Sequence, residues 1–151
     1  MNKSITLNIY GDGGVGKTTW VNRWVTGNFN PKYIIDDEVK TYNLHFPKIY
    51  NGLSSFDVEI NVMPGTYKFV KPYQPRADAT IIMFDLSNKK SFKNVEYWKK
   101  YSSGITVICG NKFDTNYNPE YIKLTDETFF ISSKTMYQHE HPLMYIFEQL
   151  S

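Results

Sequence analysis

Gly11-Asp12-Gly13-Gly14-Val15-Gly16-Lys17-Thr18 is the stretch that decides the fold class of this 151-residue chain. It fits G-x-x-x-x-G-K-[ST], a loop that cradles phosphate groups. Glycines allow backbone angles and close approaches that a Cβ resists. Successive N–H groups can then converge on phosphate oxygens. Lys17 reaches toward the outer phosphates, and the Thr18 hydroxyl is placed for Mg²⁺. The flanks agree with this reading. Ser4 to Tyr10 alternates and is β-prone, as a strand requires. Trp20, Val21, Trp24 and Val25 then fall on one helical face. Strand, glycine loop and helix follow in that order, so the helix N-terminus adds its dipole to the anion site. Trp20 and Trp24 are expected in the core.

Working outward, strands and helices alternate along the chain. Thr41 to Phe46 and Ser54 to Val62 look extended, and Asn51-Gly52 between them is a turn signal, so a hairpin is expected. Ala79 to Phe84 and Ile105 to Gly110 are continuous apolar runs of the doubly buried kind. Asn88 to Tyr101 reads as one short amphipathic helix, with Phe92, Val95 and Trp98 on its inner side. Phe129 to Ile131 reads as a last strand and Pro142 to Leu150 as a closing helix. Gly27 to Asp37 and Met63 to Asp78 read as loops. The order implies an α/β fold of the P-loop NTPase kind. Its sheet is six-stranded and mostly parallel, with one antiparallel strand and helices on both faces. Ligands on such sheets sit at the carboxyl ends of the strands.

Length suits one domain spanning 1–151. The net charge of +2 is too small to argue for nucleic acid. Lys89, Lys90, Lys93, Lys99 and Lys100 form the densest basic group, read first as a solvated helix face and second as a basic docking patch. Cys109, the one cysteine, lies in an apolar run and is expected as a buried thiol. No signal-peptide pattern, membrane-length run or prenylation cysteine is visible, so no membrane anchor is expected.

Asn111-Lys112-Phe113-Asp114 follows a buried strand and selects the base. Guanine offers two N–H donors on one edge, and the Asp114 carboxylate can accept both. Adenine lacks that edge and would leave the carboxylate unsatisfied. Asn111 can brace the neighbouring loop, and the Lys112 stem can cover a ring face. In Ile131-Ser132-Ser133-Lys134, the Ser133 N–H can meet the guanine oxygen while Ser132 orders the loop. Asn111 to Asp114 also argues against a P-loop kinase or ATPase.

With these motifs the chain resembles the small Ras-like GTPases, and among them most closely the Ran family of nuclear-transport GTPases. The likeness rests on Gly11 to Thr19, Thr26 to Phe29, Lys32-Tyr33, Ala79 to Asp85, Lys93 to Val95 with Trp98, Cys109 to Lys112 and Ile131 to Lys134. It implies a GTP- and GDP-binding protein that uses Mg²⁺. Asp12, Thr19, Phe29 (against the guanine) and Lys134 join the nucleotide contacts. Gly27 to Thr41 would be switch I, and Met63 to Asp78 switch II. It further implies a monomer in nucleus and cytoplasm. Its partners would be importin-like transport receptors, an exchange factor or an activating protein, with neither nucleic acid nor membrane.

Three departures from that family bear on mechanism. Where the family has D-x-x-G-Q, this chain has Val62-Met63-Pro64-Gly65-Thr66. Gly65 is kept, so its N–H can sense the γ-phosphate beside Lys17. Val62, however, cannot support a metal shell, and Thr66 is too short to hold water as the amide does. In switch I the metal-ligating threonine is replaced by Asp36. Asp36 or Asp37 can serve Mg²⁺, or both stand solvated in a loop, which repulsion from the γ-phosphate favours. The central helices are shortened, and the family's acidic C-terminal extension is expected to be absent. Slow or lost hydrolysis is therefore expected. The alternative is a non-cycling scaffold or decoy that binds the same partners.

Overall fold

The computed structural model describes residues 2–30, 38–48, 54–65, 76–115 and 128–151. Their strands are β1 (Asn2–Tyr10), β2 (Lys40–Phe46), β3 (Ser55–Val62), β4 (Ala79–Asp85), β5 (Ile105–Asn111) and β6 (Thr128–Phe130). They form one six-stranded sheet in the order β2-β3-β1-β4-β5-β6. Only the β2–β3 pairing is antiparallel, with Lys40 opposite Val62 and Phe46 opposite Phe56. The other four pairings are parallel. The expected hairpin strands are thus paired, while its Asn51-Gly52 turn lies outside the described residues.

The two faces of the sheet are covered by different helices. α1 (Lys17–Thr26) and α4 (His141–Leu150) cover one face. Trp20, Val21, Leu143, Ile146 and Phe147 meet Leu7, Ile9, Phe56, Ile60, Ile81 and Val107 there. The other face is covered by α2 (Lys89–Lys93) and α3 (Val95–Trp98), where Val95 and Trp98 meet Tyr10, Ile82, Phe84 and Ile108. β4 shows why its run is continuously apolar. Ile81 and Met83 enter the first cluster, Ile82 and Phe84 the second, as a strand with alternating side chains and two covered faces demands.

The helix expected over Asn88 to Tyr101 is in fact broken. α2 stops at Lys93, α3 starts at Val95, and a 3-10 turn spans Lys99–Tyr101. Asn88 caps the first piece, its side chain accepting from the Ser91 N–H. Asn94 sits at the break, and its side chain bonds to Asp12, 82 residues away. The inward residues are those expected: Val95 and Trp98 are buried and Phe92 is partly so. Cys109 is fully buried, and burial pushes its thiol pKa well up.

Candidate functional site

β1 ends at Tyr10, and the glycine loop follows at the carboxyl edge of the sheet. Gly14 and Gly16 adopt positive φ values of 82° and 101° before α1 begins at Lys17. The loop borders a cavity of about 610 Å³. Gly13, Gly14, Gly16, Lys17, Thr18 and Thr19 line its phosphate-cradle side, and Asn111, Lys112, Asp114, Ser133 and Lys134 the far side. Phe29 and Gly65 line it too. The motifs singled out in sequence therefore converge on one cavity.

Lys17 is buried, and its Nζ donates to the Gly11 carbonyl at 2.7 Å and the Asp12 carbonyl at 2.9 Å. The ammonium is thus held on the loop that it serves. Gly65 touches the same loop: a Cβ there would strike Gly13 N and come within 2.9 Å of the Asp12 carbonyl carbon. No larger residue fits that approach, which brings the chain just after β3 onto the phosphate cradle.

The far wall is knitted to the cradle by side chains. Asn111 Nδ2 donates to the Val15 carbonyl at 3.0 Å, and Lys112 Nζ donates to the Gly14 carbonyl at 3.0 Å. A Cβ at Gly16 would collide with that Asn111 amide, so the glycine is required by the contact as well as by its φ. Lys112 Nζ also pairs with Asp85 Oδ2 at 2.9 Å, and Lys112 itself takes a φ of 66°. Asn111 Oδ1 accepts from Lys112 N at 2.8 Å and from Ser133 N at 3.3 Å. The Ser133 N–H expected to meet the guanine oxygen thus donates to Asn111. Ser132 Oγ donates to Asp114 Oδ1 at 2.7 Å and accepts from Thr135 N at 3.1 Å. Ser132 orders the loop, as its position suggested, and steadies the exposed Asp114 carboxylate.

Two expected contacts are placed differently. Val15 does not border the cavity with its side chain, which is 1% exposed and belongs to the core; its backbone carbonyl carries the contact to Asn111. The Asp12 carboxylate accepts from Trp98 Nε1 and Asn94 Nδ2. Val62 continues the inward stripe Phe56, Val58, Ile60, Val62 of β3 and is 1% exposed within the α1/α4-side core. Met63 is likewise buried, in the opposite core. Asp36, Asp37 and Thr66 lie outside the described residues.

Sequence reading missed Asn22, Asn30 and Thr115, which line the cavity. Asn22 stands one helical turn after Thr18, so helical spacing was the available signal. It also missed Arg23, which ties α1 to the far wall. Its guanidinium donates to the carbonyls of Ser133 at 2.9 Å, Lys134 at 3.1 Å and Gly27 at 2.7 Å. Behind this wall His139 is 2% exposed between Trp20 and Trp24, and neither ring nitrogen has a hydrogen-bond partner among the described residues. Desolvation, with the Arg23 charge second, lowers its pKa to about 4.

The cavity suits a nucleotide in shape and donor chemistry. The glycine loop and its lysine form one end, and a steadied carboxylate stands at the other. For Mg²⁺ the fit is partial: Thr18 borders the cavity, while Val62 offers no oxygen. A model of the Ras family matches residues 6–141 of the chain.

Proposed function

This chain belongs to the Ras family and is a small GTP-binding protein, and from that premise we propose that it is a Ran-like member that holds guanine nucleotide but hydrolyses GTP slowly or not at all. The observation that carries the reading is the place of Val62. The position where the family carries its metal-supporting Asp holds an apolar side chain at the end of β3, committed to the core.

Each residue then has a defined duty. The loop amides of Gly13 to Thr18 bind the phosphates, and Lys17 stabilises charge that builds on the outer phosphate during transfer. Gly65, set against the loop at Gly13, is the donor expected at the γ-phosphate. Thr66 takes the place of the water-orienting amide and supplies little. Asp114 accepts from the guanine edge, Phe29 covers the base, and Asn111 and Lys112 hold the two loops together. When bound, Mg²⁺ supplies charge neutralisation at the phosphates; Thr18 is the described residue that would hold it, and Asp36 is a second candidate.

The Ran-like assignment is supported by the phrases quoted above, above all Ile81 to Asp85 and Lys93 to Val95 with Trp98. It carries a role in nucleocytoplasmic transport in nucleus and cytoplasm, with importin-like receptors, an exchange factor or an activating protein as partners. A second reading, a scaffold or decoy that binds such partners without cycling, is favoured by the same burial of Val62 beside an intact cradle. The nucleotide that copurifies separates the two: permanently bound GTP, or none, supports the scaffold.

Single-turnover hydrolysis of preloaded GTP tests the main reading. The expected rate lies below the scale of an intact Ras-type centre, on the order of 10⁻⁴ s⁻¹. A rate at or above that scale would overturn it.

A further inference from the structure

Asp12 is the second residue of the phosphate loop, yet it does not border the cavity. The residue is 8% exposed, and its carboxylate is engaged on the α3 side of the sheet. Oδ1 accepts from Trp98 Nε1 at 2.9 Å and Oδ2 from Asn94 Nδ2 at 2.6 Å. Its backbone carbonyl accepts from Lys17 Nζ at 2.9 Å. One residue therefore joins the cradle's lysine to the helices on the far face.

The two donors are themselves fixed. Trp98 is 1% exposed, stacked on Tyr10 at 6.0 Å and held edge-on by Tyr97 at 5.2 Å. Its indole has a single donor and no acceptor, so its orientation decides where a carboxylate can sit. Asn94 occupies the break between α2 and α3, which its amide bridges to the loop.

We propose that Asn94 and Trp98 are positioning residues for nucleotide binding that act through Asp12. They hold a negative charge outside the phosphate site and thereby keep the loop amides and Lys17 aimed inward. A carboxylate that loses either donor is freer to turn toward a polyphosphate held by the same loop and repel it. The inference rests on the guanine-nucleotide reading of the cavity and adds to it a second layer, on the opposite face of the sheet, that nucleotide contacts alone do not identify.

The test compares affinities for GMP, GDP and a non-hydrolysable GTP analogue in three variants. Trp98→Phe keeps the ring and removes the N–H. Asn94→Leu removes the other donor independently. Asp12→Asn is combined with Trp98→Phe to delete the charge. Loss of one charged hydrogen bond should weaken GDP binding about tenfold. The loss should grow from GMP to the GTP analogue and shrink in high salt, and Asp12→Asn should recover most of it. A loss equal for all three ligands, no loss in either single variant, or no recovery by Asp12→Asn would overturn the proposal. Circular dichroism on the same samples checks folding, and Asn94→Leu decides alone if Trp98→Phe does not fold. Failure of the parent chain to bind any of the three ligands would instead remove the nucleotide reading itself, and the proposal with it.

Discussion

The two walls of the cavity are built on different principles. The base-side wall is a hydrogen-bonded weave: Asn111, Lys112, Ser132 and Arg23 each bridge segments far apart in sequence. The opposite wall, where the proposed reading puts the metal, has Gly65 against the phosphate loop, and Val62, at the position of the family's carboxylate, is folded into the core. The contrast teaches that holding a nucleotide and hydrolysing it are physically separable. Holding depends on strand ends and loop-to-loop bonds. Hydrolysis depends on a few oxygens and an amide placed by the switch segments.

The comparison can be broken most forcefully at Val62. Val62→Asp restores the family's carboxylate but places a charge within an apolar stripe. We expect a loss of about 3–5 kcal/mol in Mg²⁺-free urea melts, partly recovered with Mg²⁺ and nucleotide. A neutral effect would mean that the end of β3 turns outward more readily than its burial implies. Next in size is Asp114→Ala, which removes the acceptor for the guanine edge and the anchor for Ser132. GDP affinity should fall by about 3 kcal/mol, on the order of a hundredfold, while weak ADP binding stays unchanged. Equal losses for both nucleotides would show that Asp114 does not read the base. Gly65→Ala should then cost about 1–3 kcal/mol of affinity for a GTP analogue, since the methyl group collides with the loop at Gly13. A variant that binds like the parent would place Gly65 outside the phosphate end.

The smallest effect sharpens the base-side wall. His139 is neutral when folded, with a pKa near 4 against 6.5 for the ordinary side chain. The unfolded chain therefore binds more protons between these values, and stability falls as pH drops. The contribution is complete above pH 6.5, drains between 6.5 and about 4, and is gone below that. From pH 6.5 to 5.5 the loss should be about 1 kcal/mol in urea midpoints, and His139→Leu should flatten that slope. A parent profile as flat as the variant's would show that the imidazole is solvated.

Much of this was legible in sequence, for physical reasons that also mark the limits. β4 and β5 were readable because strands covered on both faces need continuous apolar runs. The convergence of Lys17, Asn111 and Asp114 followed from motifs at strand ends. The break at Asn94 was not legible: the bond made there runs to Asp12, 82 residues away, and local periodicity cannot encode it. Asp12 itself read as a ligand contact by its place in the motif; only the position of Trp98 shows where its carboxylate goes. Arg23 looked like any polar residue on a surface helix, since its partners are backbone carbonyls on a distant loop.

The most direct test of the contrast between the walls is calorimetric titration of GDP into the parent chain, with and without Mg²⁺ and with ADP as control. An intact base side beside a depleted metal side predicts tight GDP binding, far weaker ADP binding and less than a roughly tenfold gain from Mg²⁺, about 1.4 kcal/mol. No GDP binding, or a gain on the order of a hundredfold or more with Mg²⁺, would contradict it.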